Sequence, residues 1–304
     1  MTWTVPSQAG KTFVVTGGNA GIGYFISEQL AQAGGTVVIA ARNPSKAAAA
    51  VSSIGREVPG ASVSAVTLDL SSYAGVRSAA AELAKLPRID ALIENAGAIM
   101  PSKERQETVD GNELMFGTNH LGHFLLTALL YPTLAKTPGS RVITMGSGAT
   151  RLRKLTPDNL QATSGNYSAF TAYAQSKHAT QGFGFELDRR LRAANSPVTA
   201  IVVHPGGGTN GNSPTRSGVI EPTPGSRALA KVTFVAGGSK EVGARAAVRA
   251  ATDPDASGGQ YWGPRFQVFG EPALGKPTAS SASPEFGAAL WAMSERLTGQ
   301  PFAV

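Results

Sequence analysis

Six short apolar runs, each followed by a stretch of helical periodicity, constrain what this chain can fold into more than any single motif. They lie at residues 11–16 (KTFVVT), 36–41 (TVVIAA), 62–68, 89–94 (IDALIE), 141–145 and 198–203. Between and after them the pattern predicts helices over 22–33, 46–54, 73–86, 112–134 and 169–192. Strands that read as unbroken apolar runs, alternating with helices, make a parallel sheet covered on both faces. Right-handed crossovers then give a doubly wound α/β domain, with ligands at the carboxyl ends of the strands. No boundary divides residues 1–304, and no period of the solenoid kind recurs.

The first strand–helix turn is Thr16-Gly17-Gly18-Asn19-Ala20-Gly21-Ile22-Gly23. Glycines there let the backbone turn tightly and approach a pyrophosphate at the amino end of the next helix. The spacing, G-x-x-x-G-x-G, differs from the commoner G-x-G-x-x-G. Later, Tyr173 and Lys177 stand four residues apart in the 169–192 helix, which puts phenol and ammonium on one face. A neighbouring cation favours phenolate, so the expectation is a tyrosine whose pKa is brought down toward neutrality.

Composition excludes several classes. The chain has no cysteine, which removes disulfides, thiolate metal sites and cysteine nucleophiles. No apolar run reaches membrane-spanning length, residues 1–10 lack a leader pattern, and the cytoplasm is the expected compartment. The net charge of +7 is dispersed, and Arg151, Arg153 and Lys154 are too few for a nucleic-acid surface. His120 and His123 have a spacing metals can use, but no third ligand joins them, so structural roles and no metal are expected. His204, at a strand end, reads as a packing residue. Met145-Gly146-Ser147-Gly148-Ala149 lacks both glycines of a hydrolase nucleophile elbow.

The glycine turn, Asn95-Ala96-Gly97 after the fourth strand and Tyr173-x-x-x-Lys177 resemble, in order and spacing, the short-chain dehydrogenase/reductase family. The likeness covers residues 11–206. Residues 110–114 (DGNEL), 118–124 (TNHLGHF) and 204–206 (HPG) resemble its retinol-dehydrogenase-like and protochlorophyllide-reductase-like branch. The resemblance implies a single Rossmann-type domain binding a nicotinamide dinucleotide. Gly17, Asn19, Ala20, Gly21, Ile22 and Gly23 would cradle its pyrophosphate, and Asp69 and Leu70 would meet the adenine. Asn95, Ala96 and Gly97 would lie beneath it, and Pro205 and Gly206 would flank the nicotinamide. Asn119 would help hold a relay water, Ser147 would bond the substrate carbonyl, and Tyr173 would be the general acid. Lys177 would lower the tyrosine's pKa and bind ribose hydroxyls. Thr209 is a weak candidate for the carboxamide contact, because 206–210 is unusually glycine-rich.

Two departures stand out. Gly146 precedes Ser147 where the family often has a second serine, and Glu94 replaces a frequent asparagine. The second strand ends in Ala40-Ala41-Arg42-Asn43, without the carboxylate that an NAD site places there. Arg42, with Lys46 in support, suits a 2′-phosphate, so NADP(H) is the expected cofactor. The expected activity is reduction of a lipophilic ketone or aldehyde, or oxidation of the matching alcohol. An NAD(H)-dependent alcohol dehydrogenase and a catalytically silent dinucleotide-binding sensor are the alternatives. Substrate loops are expected at 150–170 and at 209–227, the latter a mobile lid. In the 261–304 extension, Tyr261, Trp262, Phe266 and Phe269 read as a pocket wall or satellite core. Pairing of the 112–134 and 169–192 helices in a homodimer or homotetramer is a further expectation.

Overall fold

The computed structural model describes residues 3–232 and 238–304, so Met1 and Thr2 of the leader expectation lie outside it. In chain order the first part is β1 (Thr12–Thr16), α1 (Gly21–Gln32), β2 (Thr36–Ala41), α2 (Pro44–Glu57), β3 (Val63–Thr67), α3 (Tyr73–Leu83) and β4 (Ala91–Glu94). Next α4 (Leu114–Phe116) runs through a π-turn (Gly117–Leu121) into α5 (Gly122–Ala135). β5 (Arg141–Met145), α6 (Ala169–Ala193) and β6 (Thr199–Val203) follow. The last part holds β7 (Gly208–Thr209), α7 (Pro224–Val232), β8 (Gly238–Ser239), α8 (Lys240–Thr252), β9 (Tyr261–Pro264), β10 (Pro272–Leu274), α9 (Ala279–Ala282) and α10 (Pro284–Thr298).

Among the described residues the main sheet has the order β10-β9-β6-β5-β4-β1-β2-β3. All its pairings are parallel except β10 on β9. The chain leaves β1 one way to β2 and β3, and the other way from β4 to β6. The crevice between β1 and β4 is therefore the switch point where ligands of such sheets bind.

Alternation along each strand builds two cores. Phe13, Val15, Ile39, Ile93 and Ile201 face α1, α2 and α8. Val14, Val38, Leu92, Val142 and Ala200 face α3, α5, α6 and α10. Burying each large apolar side chain contributes roughly 1.5–3 kcal/mol before chain entropy is set against it.

Four expectations need correction. A seventh parallel strand, β9, extends the sheet beyond β6. Tyr261 and Trp262 belong to that strand and are buried in the cores, while Phe266 and Phe269 stand exposed against each other, so none walls the cleft. The 112–134 helix begins at Leu114, capped by the buried Glu113 carboxylate, which accepts from Phe116 N at 2.7 Å, and is interrupted by the π-turn. Finally, the 209–227 segment expected as a lid is anchored on α1 and α2, and none of its residues lines the cleft. Arg216 donates two bonds to Glu28 of α1, at 2.6 and 2.8 Å, Arg56 of α2 donates to Ser217 O, and Ile220 is buried.

Candidate active site

The glycine turn is fastened to the neighbouring strand end by one threonine. Thr16 O accepts from Asn95 Nδ2 at 3.0 Å, and Thr16 Oγ accepts from Ala96 N at 3.0 Å. A Cβ on Gly23 would collide with Gly17 O and Asn95 Nδ2, so the two turns can lie this close only with glycine there. Gly17 and Gly21 have φ of +65° and +57°, which side-chain-bearing residues adopt only at a cost.

These turns open into a cleft of about 740 Å³ at the carboxyl ends of the strands. Its lining takes Gly17 and Asn19 to Gly23 from the first turn, and Arg42 from the end of β2. Asp69 and Leu70 follow β3, and Asn95, Ala96 and Gly97 follow β4. Ser147 after β5, Tyr173 and Lys177 from α6, and Pro205 and Gly206 after β6 complete it. Thr209 and Lys46 do not line it. Thr209 Oγ accepts from Asn212 N, and Lys46 lies on exposed α2, its amide bonded to the Asn43 cap. Arg42 is exposed and, among the described residues, has no ion-pair partner.

Asn119 lies behind the cleft, 1% exposed, inside the π-turn. Its Oδ1 accepts from Ala98 N at 2.7 Å, while Nδ2 donates to Ala98 O and Ser176 Oγ. Its main-chain carbonyl faces His123 Nδ1 and accepts from Thr180 Oγ. The side chain is thus committed to holding the turn after Gly97. π-turns of this kind recur at functional sites.

Ser147 Oγ accepts from Ala149 N at 3.2 Å, and its hydroxyl is hydrogen-bonded to the Tyr173 phenol. Gly146 is explained by Gln181: a Cβ would meet its amide group, which donates to Ser147 O. Burial pushes the Tyr173 phenol above 10, and only the Ser147 hydroxyl pulls it back. The expected lowering by Lys177 is therefore not found: burial sets the direction, and the ammonium does not act on the phenol here. Lys177 Nζ donates instead to Met145 O at 2.8 Å.

Burial holds Lys177 down to about 8, with the Glu94 carboxylate opposing. The same dry surroundings push Glu94 up to about 8, countered by the Thr127 hydroxyl donating at 2.5 Å and by Lys177. One testable consequence concerns stability. A lysine whose native pKa lies below 10.5 disfavours the fold at all pH below about 8, and that penalty fades between 8 and 10.5. Relative to wild type, Lys177→Met should be better tolerated at pH 7 than at pH 10, because it removes a penalty that is present only at the lower pH. Urea unfolding at both pH values checks this, and a stability difference that does not change between them would refute it.

The histidines are spent on packing. His120 Nε2 pairs with Ser294 Oγ at 2.7 Å among Phe116, Phe124 and Phe183, and His123 Nε2 pairs with Thr16 Oγ at 2.9 Å. Burial holds them near 3 and 4. His204 stacks on Tyr261 at 5.4 Å, over Gly263. The 110–114 motif is structural as well. Asp110 accepts from Tyr73 N, and Asn112 joins Tyr73 to Gln161. Sequence reasoning missed Lys240, which lines the cleft from α8, and the apolar Ile99, Pro101 and Leu114. The signal for Lys240 was local: Ser239 followed by Lys-Glu-Val is a capped helix start.

A parallel sheet opening at its switch point between glycine turn and Tyr–Lys pair defines a nucleotide-dependent oxidoreductase of the doubly wound class. Residues 11–213 match the family described as short chain dehydrogenase, and the chain belongs to it. It is 35% identical to human retinol dehydrogenase 13 over 301 residues, 97% of this chain and 87% of that protein. It is 42% identical to human polyprenol dehydrogenase over 207 residues, 66% of this chain and 62% of that relative's length. Among solved structures, an uncharacterized protein from Mycobacterium Paratuberculosis superposes with TM-score 0.80 at 34% identity, covering 100% of both chains. The Pseudomonas aeruginosa RhlG/NADP active-site complex gives TM-score 0.63 at 25% identity, covering 84% and 95%. No helix among the described residues is long and apolar enough to cross a membrane.

Proposed function

We propose that this chain is an NADP(H)-dependent carbonyl reductase, or the matching alcohol dehydrogenase, acting on a lipophilic substrate. The observation that carries the reading is the convergence of Ser147, Tyr173 and Lys177 with the glycine turn and Arg42 on one cleft. Room for a dinucleotide is built in, since side chains at Gly17 or Gly23 would fill the cradle. The glycine turn would hold the pyrophosphate, Arg42 the 2′-phosphate and Asp69 the adenine; Asp69 Oδ1 accepts from Ser71, which leaves Oδ2 for that contact.

When bound, the reduced nicotinamide supplies the hydride. Tyr173 holds the proton that reaches the substrate oxygen, and its raised pKa keeps that proton in place at neutral pH. Ser147, hydrogen-bonded to the Tyr173 phenol and lining the same cleft, is placed to orient the same oxygen. Lys177, pinned to Met145 O, sets a positive charge beside them. Asn119 is a positioning residue that fixes the turn under the cleft floor. Ile99, Pro101 and Leu114 give the open end an apolar lip, which supports a lipophilic acceptor, as do relatives named for retinol and polyprenol.

Turnover of NADPH and NADH against carbonyls of increasing chain length tests this reading. NADPH oxidation rising with chain length is expected. Preference for NADH would overturn the cofactor assignment, and cofactor binding without turnover of any carbonyl would leave a silent binder. Gly23→Ala gives a second check. Forcing the two turns apart should weaken NADPH binding at least about tenfold, the scale of one or more lost backbone bonds to a charged group. Fluorescence titration reads it, and unchanged affinity would remove the glycine cradle from the assignment.

A further inference from the structure

Lys240 is the first residue of α8. Its backbone is pinned from two sides: Ser213 Oγ accepts from Lys240 N at 3.0 Å, and Ser239 Oγ caps the helix through Val242 N at 3.1 Å. One turn on, Gly243 lies against Ile22, so α8 rests directly on α1 beside the glycine turn. The lysine side chain is half-buried and points into the cleft. Its Nζ and Cδ come within 3.6 and 3.7 Å of the point where a Cβ on Gly21 would stand. Among the described residues no carboxylate or hydrogen-bond acceptor meets that ammonium. A half-buried lysine drawn over a glycine turn and left without a counter-charge is placed to receive an anion.

Three cations therefore line the cleft at separate places. Arg42 stands after β2, Lys177 lies on α6 below Tyr173, and Lys240 overhangs the glycine turn between them. We propose that Lys240 is the cation that clamps the cofactor's pyrophosphate, reaching over the glycine turn from α8. The inference rests on the dinucleotide reading above and extends it to a residue from outside the family's turn motifs. Burial, which lowers this lysine's pKa, also makes a phosphate contact there worth more than one in open water. Because Gly208 packs against the Lys240 backbone, the clamp also ties the turn after β6 to the occupied cleft.

The test compares three ligands on wild type, Lys240→Gln and Lys240→Arg by calorimetry at fixed salt. ADP carries the pyrophosphate alone, 2′-AMP lacks it, and NADPH has both phosphate sites. Lys240→Gln should lose about tenfold or more in affinity for ADP and NADPH, the scale of one charged hydrogen bond, and under about twofold for 2′-AMP. Lys240→Arg should restore most of the ADP affinity. Equal losses for all three ligands would mean that Lys240 only supports the local fold, and no loss for ADP would mean that it touches no phosphate. Either result overturns the clamp while wild-type NADPH binding stands. Wild type that binds neither ADP nor NADPH would overturn the dinucleotide reading and the clamp with it.

Discussion

Tyr173→Phe should lower kcat at least about 100-fold while leaving NADPH affinity within a factor of about two, since general acid–base groups supply roughly 10²–10⁴. The phenol lines the cleft and keeps its proton at neutral pH, because burial raises its pKa. Ser147 cannot replace it: a serine hydroxyl orients oxygen but does not readily give up its proton. Removing one hydroxyl opens only a small gap, and the ring keeps its packing, so the fold should persist. Stopped-flow turnover under saturating cofactor, with binding measured separately, checks the split between kcat and affinity. Turnover above about a tenth of wild type, with chemistry rate-limiting, would remove Tyr173 from the acid role.

Cofactor choice gives the second large effect. Arg42→Leu should cost about one to two decades in NADPH affinity with little change for NADH, the range for one charged contact of about 1.5–3 kcal/mol. The guanidinium is exposed and unpaired among the described residues, so its loss strands no partner. Adding Ala41→Asp places a carboxylate at the end of β2, where it accepts from a ribose 2′-hydroxyl and repels a 2′-phosphate. The double variant should prefer NADH. Ala41 is 4% exposed, so the new carboxylate also carries a desolvation cost, visible as a lower melting temperature. Parallel titrations of both cofactors into the three proteins decide the matter. An unaltered NADPH-to-NADH ratio would show that Arg42 is a solvated strand-end charge.

Much of this site could be read from the chain because each group follows a strand. Apolar runs such as 36–41 announce a strand buried on both faces, and in a doubly wound sheet the next few residues must reach the cleft. Gly17, Arg42, Asp69, Asn95, Ser147 and Pro205 all fall in such positions. β9 escaped because Tyr-Trp-Gly-Pro carries no apolar alternation; its place comes from pairing with β6 and from His204 needing a side-chain-free Gly263 beside it. The π-turn around Asn119 left no local sign, since it is defined by bonds to Ala98, His123, Ser176 and Thr180. The direction of Tyr173's shift was misjudged for a related reason. Sequence spacing puts Lys177 close to the phenol, but only the packed fold shows that burial dominates.

The bidentate bond from Arg216 to Glu28, whose carboxylate side is 1% exposed, has a consequence for how enzymes of this shape can diverge. It works as a seam. Upstream of it, the short run from Gly208 to Ser213 is stitched to Lys240, whose side chain reaches the glycine turn, so changes of length there would disturb the cleft. Downstream, Ile220 is buried and Ser217 O accepts from Arg56, while Ser217, Gly218, Glu221 and Thr223 to Gly225 are largely turned to solvent. Insertions and exchanges on that side can accumulate over generations without loosening the dinucleotide grip.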